Sequence, residues 1–243
     1  MALARKVTVF LPAFNEVRNL EGAVRDIVKA GESVLQGYEV LIVDDGSTDG
    51  TGALADSLAA TLPSVRVLHQ PRNLGLAAGF RRALAEARLE YFSFLPGDHE
   101  VSADSVERIF GAVGSADIVV PYHGNSEARQ WHRRVLTRVS TALMNTAFGM
   151  RLRYYQGPCI YPTSLVRGIP SAGGGFFFLT EILVQAIRAG HTYVEVPLTH
   201  QERAHGRSKA VSLRNIVRAL RTIARITWTI RIGSHLQRRE SRA

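Results

Sequence analysis

Short apolar runs alternate with amphipathic segments through the first half of the 243-residue chain. Runs rich in Val, Leu, Ile, Phe and Tyr predict β-strands at residues 6–11, 38–43, 65–69, 91–95 and 117–120. Between them, the helical spacing of apolar residues predicts helices at residues 20–30, 51–61, 76–87 and 103–113. This alternation predicts an α/β fold, in which right-handed crossovers join mostly parallel strands and helices cover both faces of the sheet.

The second half of the chain follows a less regular pattern. Helical spacing predicts a long helix at residues 129–148 and another at residues 179–189, and apolar runs predict strands at residues 154–161 and 193–196. No internal repeat or low-complexity linker interrupts the chain. We therefore expect one α/β domain at residues 1–209, followed by a helical segment at residues 210–243.

Charge is unevenly distributed along the chain, whose formal net charge is +9. Residues 1–199 contain 19 Lys/Arg and 19 Asp/Glu, whereas residues 200–243 contain 11 Lys/Arg and only 2 Asp/Glu. A basic segment attached to a neutral body favours an anchor or an anion-binding clamp over a nucleic-acid surface. The segment also lacks interleaved aromatic residues, so we expect no nucleic acid as partner.

The basic segment has the period of an amphipathic helix over residues 213–232. An apolar stripe runs along it, and four arginines fall largely on another face: Arg214, Arg218, Arg221 and Arg225. Twenty residues of helix reach about 30 Å, enough to cross a bilayer, but arginines inside hydrocarbon are costly. We therefore predict a helix that lies on an anionic membrane surface. The alternative is a helix that packs on the domain or on a second subunit of a homo-oligomer.

The cysteine content and the beginning of the chain favour a cytoplasmic location. Cys159 is the single cysteine, so no internal disulfide can form, and this usage is typical of a reducing compartment. Residues 1–6 lead directly into an apolar strand, without the successive regions of a signal peptide. Together with the basic segment, this predicts a cytoplasmic protein held peripherally at the inner face of the membrane.

Polar side chains follow the predicted strands at the points where a ligand would bind. Asn15 and Glu16 follow the first strand, residues 44–47 (DDGS) follow the second, and residues 98–100 (DHE) follow the fourth. In parallel α/β sheets, ligands bind beyond the carboxyl ends of the strands. We expect these three clusters to share one site.

Residues 40–51 (VLIVDDGSTDGT) carry the strongest local signal. A buried strand ends in Asp44 and Asp45, and a glycine turn then leads to a helix start capped by Ser, Thr or Asp. A turn with a helix cap explains the presence of one aspartate but not of two. The second carboxylate can accept a hydrogen bond from the base or ribose of a nucleotide. A dinucleotide-binding fold is disfavoured, because residues 11–16 (LPAFNE) stand where G-x-G-x-x-G would follow the first strand. A nucleotidyltransferase is disfavoured because its Gly-rich basic N-terminal loop is missing.

Together with residues 11–16, this segment resembles the family-two glycosyltransferases, whose N-terminal half usually shows P-x-x-N-E followed by V-D-D-G-S-x-D-x-T. The resemblance continues in residues 73–79 (NLGLAAG) and 94–100 (FLPGDHE). It resumes in residues 195–197 (EVP) and 203–209 (RAHGRSK), so that it covers most of residues 6–209 with its motifs in the expected order.

Within this family, the chain looks most like the dolichol- or polyprenyl-phosphate sugar transferases, because of its R-x-x-G-x-S-K type ending and the helix at residues 129–148 followed by Gly157. The resemblance implies the GT-A fold, an inverting transfer, and Mg²⁺ or Mn²⁺ bridging the donor's diphosphate. It implies that Glu16 and Asp45 hold the nucleoside, with Asp44 beside them. The nucleotide-sugar contacts implied by the motifs are Pro12, Phe14, Asn15, Glu16, Asp44, Asp45, Gly46, Ser47, Asn73, Gly75, Gly97, Arg203, Ser208 and Lys209.

The resemblance also assigns the cation-binding residues, with one departure. Asp98 matches the last aspartate of the D-x-D motif and Glu100 a following ligand position, whereas Pro96 stands where the first aspartate often stands. Because Mg²⁺ usually takes one or two protein carboxylates together with waters and phosphate oxygens, Asp98 and Glu100 suffice. A tight Pro-Gly-Asp turn is the alternative interpretation. We expect His99 to point away from the two carboxylates and to serve the structure.

Basic residues supply candidates for holding phosphate. Arg129 and Arg133 are four residues apart on one helix face, with Arg134 beside them, and guanidinium groups bind phosphate through two hydrogen bonds. A solvated helix face explains the same pattern equally well. Arg203, Ser208 and Lys209 belong to a glycine-containing basic loop that leads into a helix, and such a loop can close over a diphosphate.

Glu181 distinguishes two classes of acceptor. In relatives that glycosylate hydroxyls, a carboxylate near this place acts as general base, whereas a carboxylate in a helix's first turn is also favoured by the helix dipole alone. A phosphate acceptor has a second pKa of about 6 and is already mostly ionised at neutral pH, so it needs less help from a base.

These observations predict a metal-dependent, inverting transfer of a sugar from a UDP- or GDP-linked donor to a polyprenyl phosphate. Asp98, Arg129, Arg133 and Glu181 are the candidate catalytic residues. A transferase of the same fold that acts on a hydroxyl of a soluble or secondary-metabolite acceptor is the first alternative. A non-catalytic nucleotide-sugar binder is the second, because of Pro96. The motifs leave the base and the sugar of the donor open.

Overall fold

The computed structural model of the protein describes residues 5–124, 131–169 and 177–199. These residues divide into two compact units. The first unit comprises residues 5–124, 153–169 and 177–199, and the second comprises residues 131–152. The predicted boundary between residues 209 and 210, and the basic segment that follows it, lie outside the described residues.

A seven-stranded sheet forms the first unit, with strand order β3-β2-β1-β4-β6-β5-β7 among the described residues. Its strands are β1 Lys6–Ala13, β2 Gly37–Asp44, β3 Val65–His69, β4 Tyr91–Phe94, β5 Ile118–His123, β6 Ile160–Pro162 and β7 Tyr193–Leu198. β6 runs antiparallel to both of its neighbours, β4 and β5, and the other paired strands are parallel. The mostly parallel sheet expected from the sequence is thus confirmed.

Helices cover the two faces of this sheet. The helices of the first unit are α1 Leu20–Val34, α2 Thr51–Thr61, α3 Leu76–Glu86, α4 Ala103–Gly111, α6 Thr163–Gly168 and α7 Phe178–Arg188. α1 packs against α2, α4 and β2, whereas α3 packs against β1, β2 and α6. The second unit contains α5, Trp131–Phe148. Among the described helices, none combines the length and the apolar content that crossing a bilayer requires.

Each face of the sheet has its own apolar core. Buried aliphatic side chains of β1 and β2 meet those of α1, α2 and α4 on one face. On the other face, the ring of Phe80 in α3 lies 5.1 Å from that of Phe92 and 4.9 Å from that of Phe178, and 6.0 Å from that of Phe10. Burial of each such ring contributes about 1.5–3 kcal/mol. The strands are therefore continuous apolar runs, since both of their faces are covered.

One polar network lies inside the sheet. The Glu39 carboxylate is buried and accepts hydrogen bonds from Thr8 Oγ1 at 2.7 Å, Arg66 Nη1 at 3.0 Å and the Arg88 N–H at 2.9 Å. A buried carboxylate is tolerated only when it is paired and hydrogen-bonded. These contacts tie β2 to β1, to β3 and to the chain that leads into β4.

Three local predictions from the sequence differ from the structure. The strand expected at residues 154–161 is confined to Ile160–Pro162, because the chain at Gly157 lies directly against the Pro121 carbonyl. α1 continues beyond residue 30. The Tyr38 ring packs against the helix at Gly31, where a Cβ would lie 2.7 Å from Tyr38 Cγ, so the helix can continue past this point because residue 31 has no side chain. β5 continues past Pro121 because its pairing with β7 extends to the last residue of each strand. α6 was not predicted at all.

Candidate active site

The loops that follow β1, β2, β3 and β4 meet at one edge of the sheet. These four strands are adjacent and parallel in the order β3-β2-β1-β4, so their carboxyl ends share an edge. The three polar clusters singled out from the sequence lie in these loops. The expectation that they share one region of the molecule is confirmed. β6 is antiparallel to both β4 and β5, so β5 runs in the same direction as β4. The carboxyl end of β5 therefore lies at the same edge of the sheet.

Hydrogen bonds join the loop after β1 to the loop after β2. Asn15 has a left-handed backbone, with φ of 56°, a conformation that Asn adopts more readily than most residues. Its N–H donates to Ser47 Oγ at 3.0 Å, and its side-chain oxygen accepts from the Thr48 N–H at 2.9 Å. The Glu16 N–H donates to Thr51 Oγ1 at 2.9 Å. The P-x-x-N-E and D-D-G-S motifs thus form one continuous surface.

Glu16 also holds the chain that leads into helix α1. Its carbonyl accepts from the N–H groups of Asn19 and Leu20, both at 2.9 Å, and its carboxylate accepts from Asn19 Nδ2 at 2.7 Å. Phe14, one residue before this loop's left-handed Asn15, is 43% exposed. The loop therefore carries a hydrogen-bonded carboxylate and an accessible aromatic ring two residues apart in sequence.

Asp44 is buried at the end of β2 and holds two loops. Its Oδ1 accepts from the Ser47 N–H at 3.0 Å, and its Oδ2 lies 3.0 Å from Nδ1 of His69, whose Nε2 lies 3.0 Å from Asp56 Oδ1. Burial alone would raise the pKa of Asp44, but the hydrogen bonds from Ser47 and His69 outweigh it and hold the pKa below its usual value. The two carboxylates raise the pKa of His69, Asp44 first and then Asp56. His69 was not recognised from the sequence.

Asp45 fixes the loop after β3. Its Oδ1 accepts from Gln70 Nε2 at 2.8 Å and from the Leu74 N–H at 2.7 Å, and its Oδ2 accepts from the Gly75 N–H at 2.9 Å. The loop that contains Asn73 is thereby attached to the end of β2. The sequence suggested that only one of the two aspartates is needed for the turn, so that the other could bind a ligand. In the structure, both aspartates hold loops in place through hydrogen bonds.

Gly46 brings the loops after β2 and β3 into backbone contact. Its φ is +71°, and a Cβ at this position would lie 2.6 Å from the Cα of Arg72 and 3.0 Å from the amide nitrogen of Asn73. A side chain cannot occupy this space. Gly75 also has a positive φ, of 85°, with ψ of 163°, a combination that is essentially restricted to glycine, although space for a Cβ is open there.

The start of α2 differs from the sequence prediction of a Ser, Thr or Asp cap. The residue at the N-cap is Gly50, with φ of 95°, because this backbone conformation is strained for any residue with a Cβ. The capping acceptor comes instead from the residue before it: Asp49 Oδ1 accepts from the Thr51 N–H at 3.0 Å. Asp49 Oδ2 also accepts from the Val17 N–H at 3.3 Å, which adds a further tie to the loop after β1.

The loop after β4 carries Asp98, His99 and Glu100. At its start, Gly97 lies against β1, where a Cβ would be 2.5 Å from the Pro12 carbonyl oxygen. The Glu100 N–H donates to Asp98 Oδ1 at 3.3 Å, so the two acidic residues belong to one tight turn. His99 Nε2 lies 2.8 Å from Asp26 Oδ2, so the ring is directed at α1.

The donor set of this turn fits a divalent cation that is shared with a diphosphate. Within residues 5–124, 131–169 and 177–199, no group of three or more His, Cys, Asp or Glu side chains is placed to hold a metal ion. Asp98 and Glu100 supply two carboxylates, which is the number that Mg²⁺ commonly takes when phosphate oxygens and waters complete its six ligands. Two protein carboxylates leave the other ligand positions of such a cation to waters or phosphate oxygens.

Further candidate residues lie in β5, α7 and the segment before β6. Glu181 is buried in the first turn of α7, whose Phe178 packs on Phe80. At the carboxyl end of β5, the ring of His123 packs 4.2 Å from that of Tyr154. The sequence analysis did not single out this His–Tyr pair, although its position after the fifth predicted strand would have drawn attention to His123.

Several predicted phosphate-binding residues lie outside the described residues: Arg129, Arg203, Ser208 and Lys209. The helix predicted at residues 213–232 also lies outside them. Arg133 belongs to α5 of the second unit.

Comparison with known proteins identifies the family. The model of the family described as "Glycosyl transferase family 2" matches residues 8–167. The chain belongs to glycosyl transferase family 2. That match spans β1 to α6 and includes every loop described above at the carboxyl edge of β1–β4. The predicted membership of this family is therefore confirmed.

Two relatives of this glycosyltransferase are similar over most of both chains. Undecaprenyl-phosphate mannosyltransferase of Micrococcus luteus is 31% identical over 222 residues, which cover 84% of this chain and 87% of the relative. Polyprenol monophosphomannose synthase of Mycolicibacterium smegmatis is 30% identical over 240 residues, which cover 93% of this chain and 88% of the relative.

Solved structures show the fold. Glucosyl-3-phosphoglycerate synthase of Mycobacterium tuberculosis in complex with UDP superposes with a TM-score of 0.68 at 19% identity, over 93% of this chain and 79% of that one. The same enzyme with Mn²⁺, UDP and phosphoglyceric acid gives a TM-score of 0.67 at 18% identity, over 93% and 78% of the two chains. The predicted GT-A fold is thus confirmed.

Proposed function

We propose that this family 2 glycosyltransferase moves a sugar from a nucleoside diphosphate sugar to a polyprenyl phosphate. The observation that carries the proposal is the similarity, over more than four fifths of each chain, to enzymes named for undecaprenyl phosphate and polyprenol monophosphomannose. Because both names specify mannose, a mannosyl donor is the first to test. The body, which has no net charge, and the basic C-terminal segment agree with an acceptor whose phosphate is presented at a membrane surface.

The linked loops at the carboxyl edge of the sheet provide the donor site. We assign the nucleoside to the loops after β1, β2 and β3, which hydrogen bonds through Asn15, Asp44 and Asp45 hold together. The exposed ring of Phe14 suits stacking against a base. The remaining contacts in these loops and the one after β4 are assigned to Pro12, Glu16, Gly46, Ser47, Asn73, Gly75 and Gly97.

Asp98 and Glu100 would hold Mg²⁺ or Mn²⁺, which when bound neutralises negative charge that grows on the departing diphosphate. We assign Arg203, Ser208 and Lys209 to the same diphosphate. A diphosphate whose charge is neutralised in this way is a better leaving group. The assigned residues promote only the cleavage of the bond between the sugar and the diphosphate.

In the transfer itself, an oxygen of the lipid phosphate forms a bond to the anomeric carbon while the bond from that carbon to the diphosphate breaks. Attack from the face opposite the leaving group inverts the configuration, and the nucleoside diphosphate departs with the electron pair. The attacking phosphate has a second pKa of about 6, so at neutral pH no base needs to remove a proton. Arg129 and Arg133 are assigned to hold the acceptor phosphate through paired hydrogen bonds.

The test combines the purified protein with Mg²⁺ and a polyprenyl phosphate in detergent, and supplies GDP-mannose, UDP-glucose or UDP-N-acetylglucosamine in separate reactions. Mass spectrometry measures the mass of the lipid phosphate. We expect a gain of one hexose with GDP-mannose. Donor hydrolysis without a lipid product would contradict the proposal and favour the hydroxyl-acceptor alternative, for which the buried Glu181 is the candidate base.

Replacement of Asp98 tests the cation in the same assay. We expect Asp98→Ala to lower kcat/KM by about 100-fold or more, because it removes an interaction that stabilises charge in the transition state. Asp104→Asn is the matched control, since Asp104 is an exposed carboxylate six residues further along, in the first turn of α4. Equal turnover by Asp98→Ala and the control would exclude a catalytic role for Asp98.

A further inference from the structure

His99 occupies an unusual backbone conformation between the two carboxylates assigned to the cation. Its φ is +56°, in the left-handed region, and Asn15 is the other non-glycine residue with positive φ in the described part of the chain. For a residue with a Cβ, this conformation costs roughly 1 kcal/mol or more, so surrounding contacts must maintain it. Those contacts come from helix α1.

The His99 ring lies directly against α1. Its Nε2 is 2.8 Å from Asp26 Oδ2, and a Cβ added to Gly22 would lie 2.7 Å from both Nδ1 and Cε1 of the ring. Gly22 and Asp26 are four residues apart and therefore lie on the same face of the helix. The ring thus requires two features of α1 at once: space above Gly22 and an acceptor at Asp26. Both side chains are partly buried, His99 at 33% and Asp26 at 27% exposure.

The loop is also fixed at its two ends. Near its start, Gly97 lies against the Pro12 carbonyl, and at its end the Ser102 N–H donates to the Thr199 carbonyl at 3.4 Å. Asp98 and Glu100 lie between these ends, directly on either side of His99. Attachment of His99 to α1 therefore fixes the middle of the turn that carries both carboxylates.

We propose that His99, Asp26 and Gly22 form a positioning site that holds Asp98 and Glu100 in the arrangement that binds the cation. Neither His99 nor Asp26 is assigned to contact cation or substrate, so both act through the two carboxylates. In this proposal the contacts with α1 hold the left-handed turn, which lowers the cost of ordering the loop around cation and diphosphate. This inference rests on the cation-binding role of Asp98 proposed above.

Loss of the His99–Asp26 contact should affect cation binding more than folding. α1 is anchored by its own buried side chains, among them Leu20, Val24 and Ile27. A partly exposed ion pair adds about 1 kcal/mol or less to stability. Residues that orient metal ligands from behind typically change metal affinity by about 10- to 100-fold when replaced.

Gly22→Ala separates positioning from structural support. Alanine in place of glycine favours a helix by up to about 1 kcal/mol, so the variant should be as stable as the parent or more so. The new methyl group would nevertheless displace the His99 ring from α1. We expect weaker cation binding together with unchanged or increased thermal stability, a combination that a purely structural role would not produce.

The measurement is the binding of Mn²⁺ to the full-length protein at saturating UDP or GDP, followed through the electron paramagnetic resonance signal of free Mn²⁺. We expect Gly22→Ala and Asp26→Ala each to raise the apparent Kd for Mn²⁺ by about 10-fold. In turnover assays, the Mn²⁺ concentration for half-maximal rate should rise likewise, with kcat at saturating Mn²⁺ within about 2-fold of the parent. Glu21→Gln is the control, because Glu21 pairs with Arg25 on the exposed side of the same helix.

A double variant tests whether His99 and Asp26 act together. His99→Asn keeps a residue that tolerates the left-handed backbone but removes the ring from Asp26. Combined with Asp26→Ala, it should add no further loss of Mn²⁺ affinity, because each change removes the same contact. Independent, additive losses would overturn the inference.

Asp98→Ala in the same Mn²⁺ titration distinguishes failure of this inference from failure of the proposed function. If Asp98→Ala loses Mn²⁺ binding but Gly22→Ala and Asp26→Ala bind Mn²⁺ like the parent, the positioning role is wrong and the cation site stands. If Asp98→Ala binds Mn²⁺ like the parent at saturating nucleotide, the cation site itself is wrong, and the positioning role falls with it.

Discussion

At the scale of single residues, His69 connects three elements around the proposed donor site. Its ring lies between Asp44 of β2 and Asp56 of α2, and its carbonyl accepts from Arg82 of α3 at 2.6 Å. The pKa of His69 is raised and that of Asp44 is lowered, so each charge stabilises the other in the folded protein. Asp44 in turn accepts from the Ser47 N–H, which links His69 to the D-D-G-S loop.

This pairing predicts a pH-dependent effect of His69→Gln on stability. A raised pKa means that the contribution of His69 is fully present below its unfolded pKa of about 6.5 and is lost as pH rises through the folded value. The Asp44 contribution is present above about pH 4 and is lost as pH falls through its folded pKa. Urea denaturation should therefore show a loss of about 1 kcal/mol or less at pH 6 and a smaller one at pH 9. An equal loss of stability at pH 6 and at pH 9 would show that the charge on His69 contributes nothing to the stability of the fold.

Gly46 and Gly50 form a matched pair for testing the contact between two loops. Both have positive φ, but a Cβ at Gly46 would lie 2.6 Å from Arg72 Cα, whereas a Cβ at Gly50 would meet only Val17 Cγ2, at 3.8 Å. We expect Gly46→Ala to lower stability by about 1–3 kcal/mol more than Gly50→Ala, because the cost of a positive φ is common to both and the clash is not. Urea denaturation measures the difference, and nucleotide affinity by calorimetry should fall further in Gly46→Ala.

At the scale of elements, the buried carboxylate of Glu39 joins β2 to three other segments. Glu39→Ala would leave Thr8 Oγ1, Arg66 and the Arg88 N–H without this acceptor. Removal of one partner from a buried, charged hydrogen-bond network costs about 3 kcal/mol. We expect a loss of that size in urea denaturation, with the nucleotide affinity of the surviving folded protein unchanged, since Glu39 is in the interior of the strand and not in a loop of the site.

Glu86→Gln is the control for that prediction. Glu86 pairs with the same Arg66, at 3.5 Å, but its side chain is 50% exposed. Its replacement should change stability by less than about 0.5 kcal/mol. A similar loss of stability in both variants would mean that burial does not determine how much each carboxylate's contact with Arg66 contributes to stability.

At the scale of the whole molecule, the charge is divided between a neutral body and a basic C-terminal segment. This division suits an enzyme whose donor is soluble and whose acceptor phosphate belongs to a membrane. The proposed contact with lipid is electrostatic and is made by the basic segment, whose arginines would face anionic headgroups.

Replacement of four arginines tests this contact in the full-length chain. The variant carries Gln at positions Arg214, Arg218, Arg221 and Arg225, whose charges we assign to anionic lipid. Each basic residue near an anionic surface contributes about 1 kcal/mol, so binding to phosphatidylglycerol vesicles should fall by roughly 100-fold or more. Cosedimentation measures bound protein, with phosphatidylcholine vesicles and high salt as controls. Equal binding by parent and variant would favour the alternative in which the helix packs on protein.

The sequence by itself determined the α/β class, the mostly parallel sheet and the family. These follow from patterns local to the chain: apolar runs buried on both faces, helical spacing between them, and motifs placed directly after β1, β2 and β4. Because parallel strands have their carboxyl ends on one edge, the order of elements alone predicted that the polar loops would meet. The sequence thus predicted that the candidate site residues lie in loops at this edge, and the topology places those loops there.

Only the tertiary structure decided which residues hold those loops in place. His69 reaches Asp44 across 25 residues of sequence, Asp45 reaches Gly75 across 30, and His99 reaches Asp26 across 73. The antiparallel course of β6 likewise depends on pairing with β4 and β5. No local period encodes such partners, because they are selected when the packed sheet brings distant segments together and excludes water from between them.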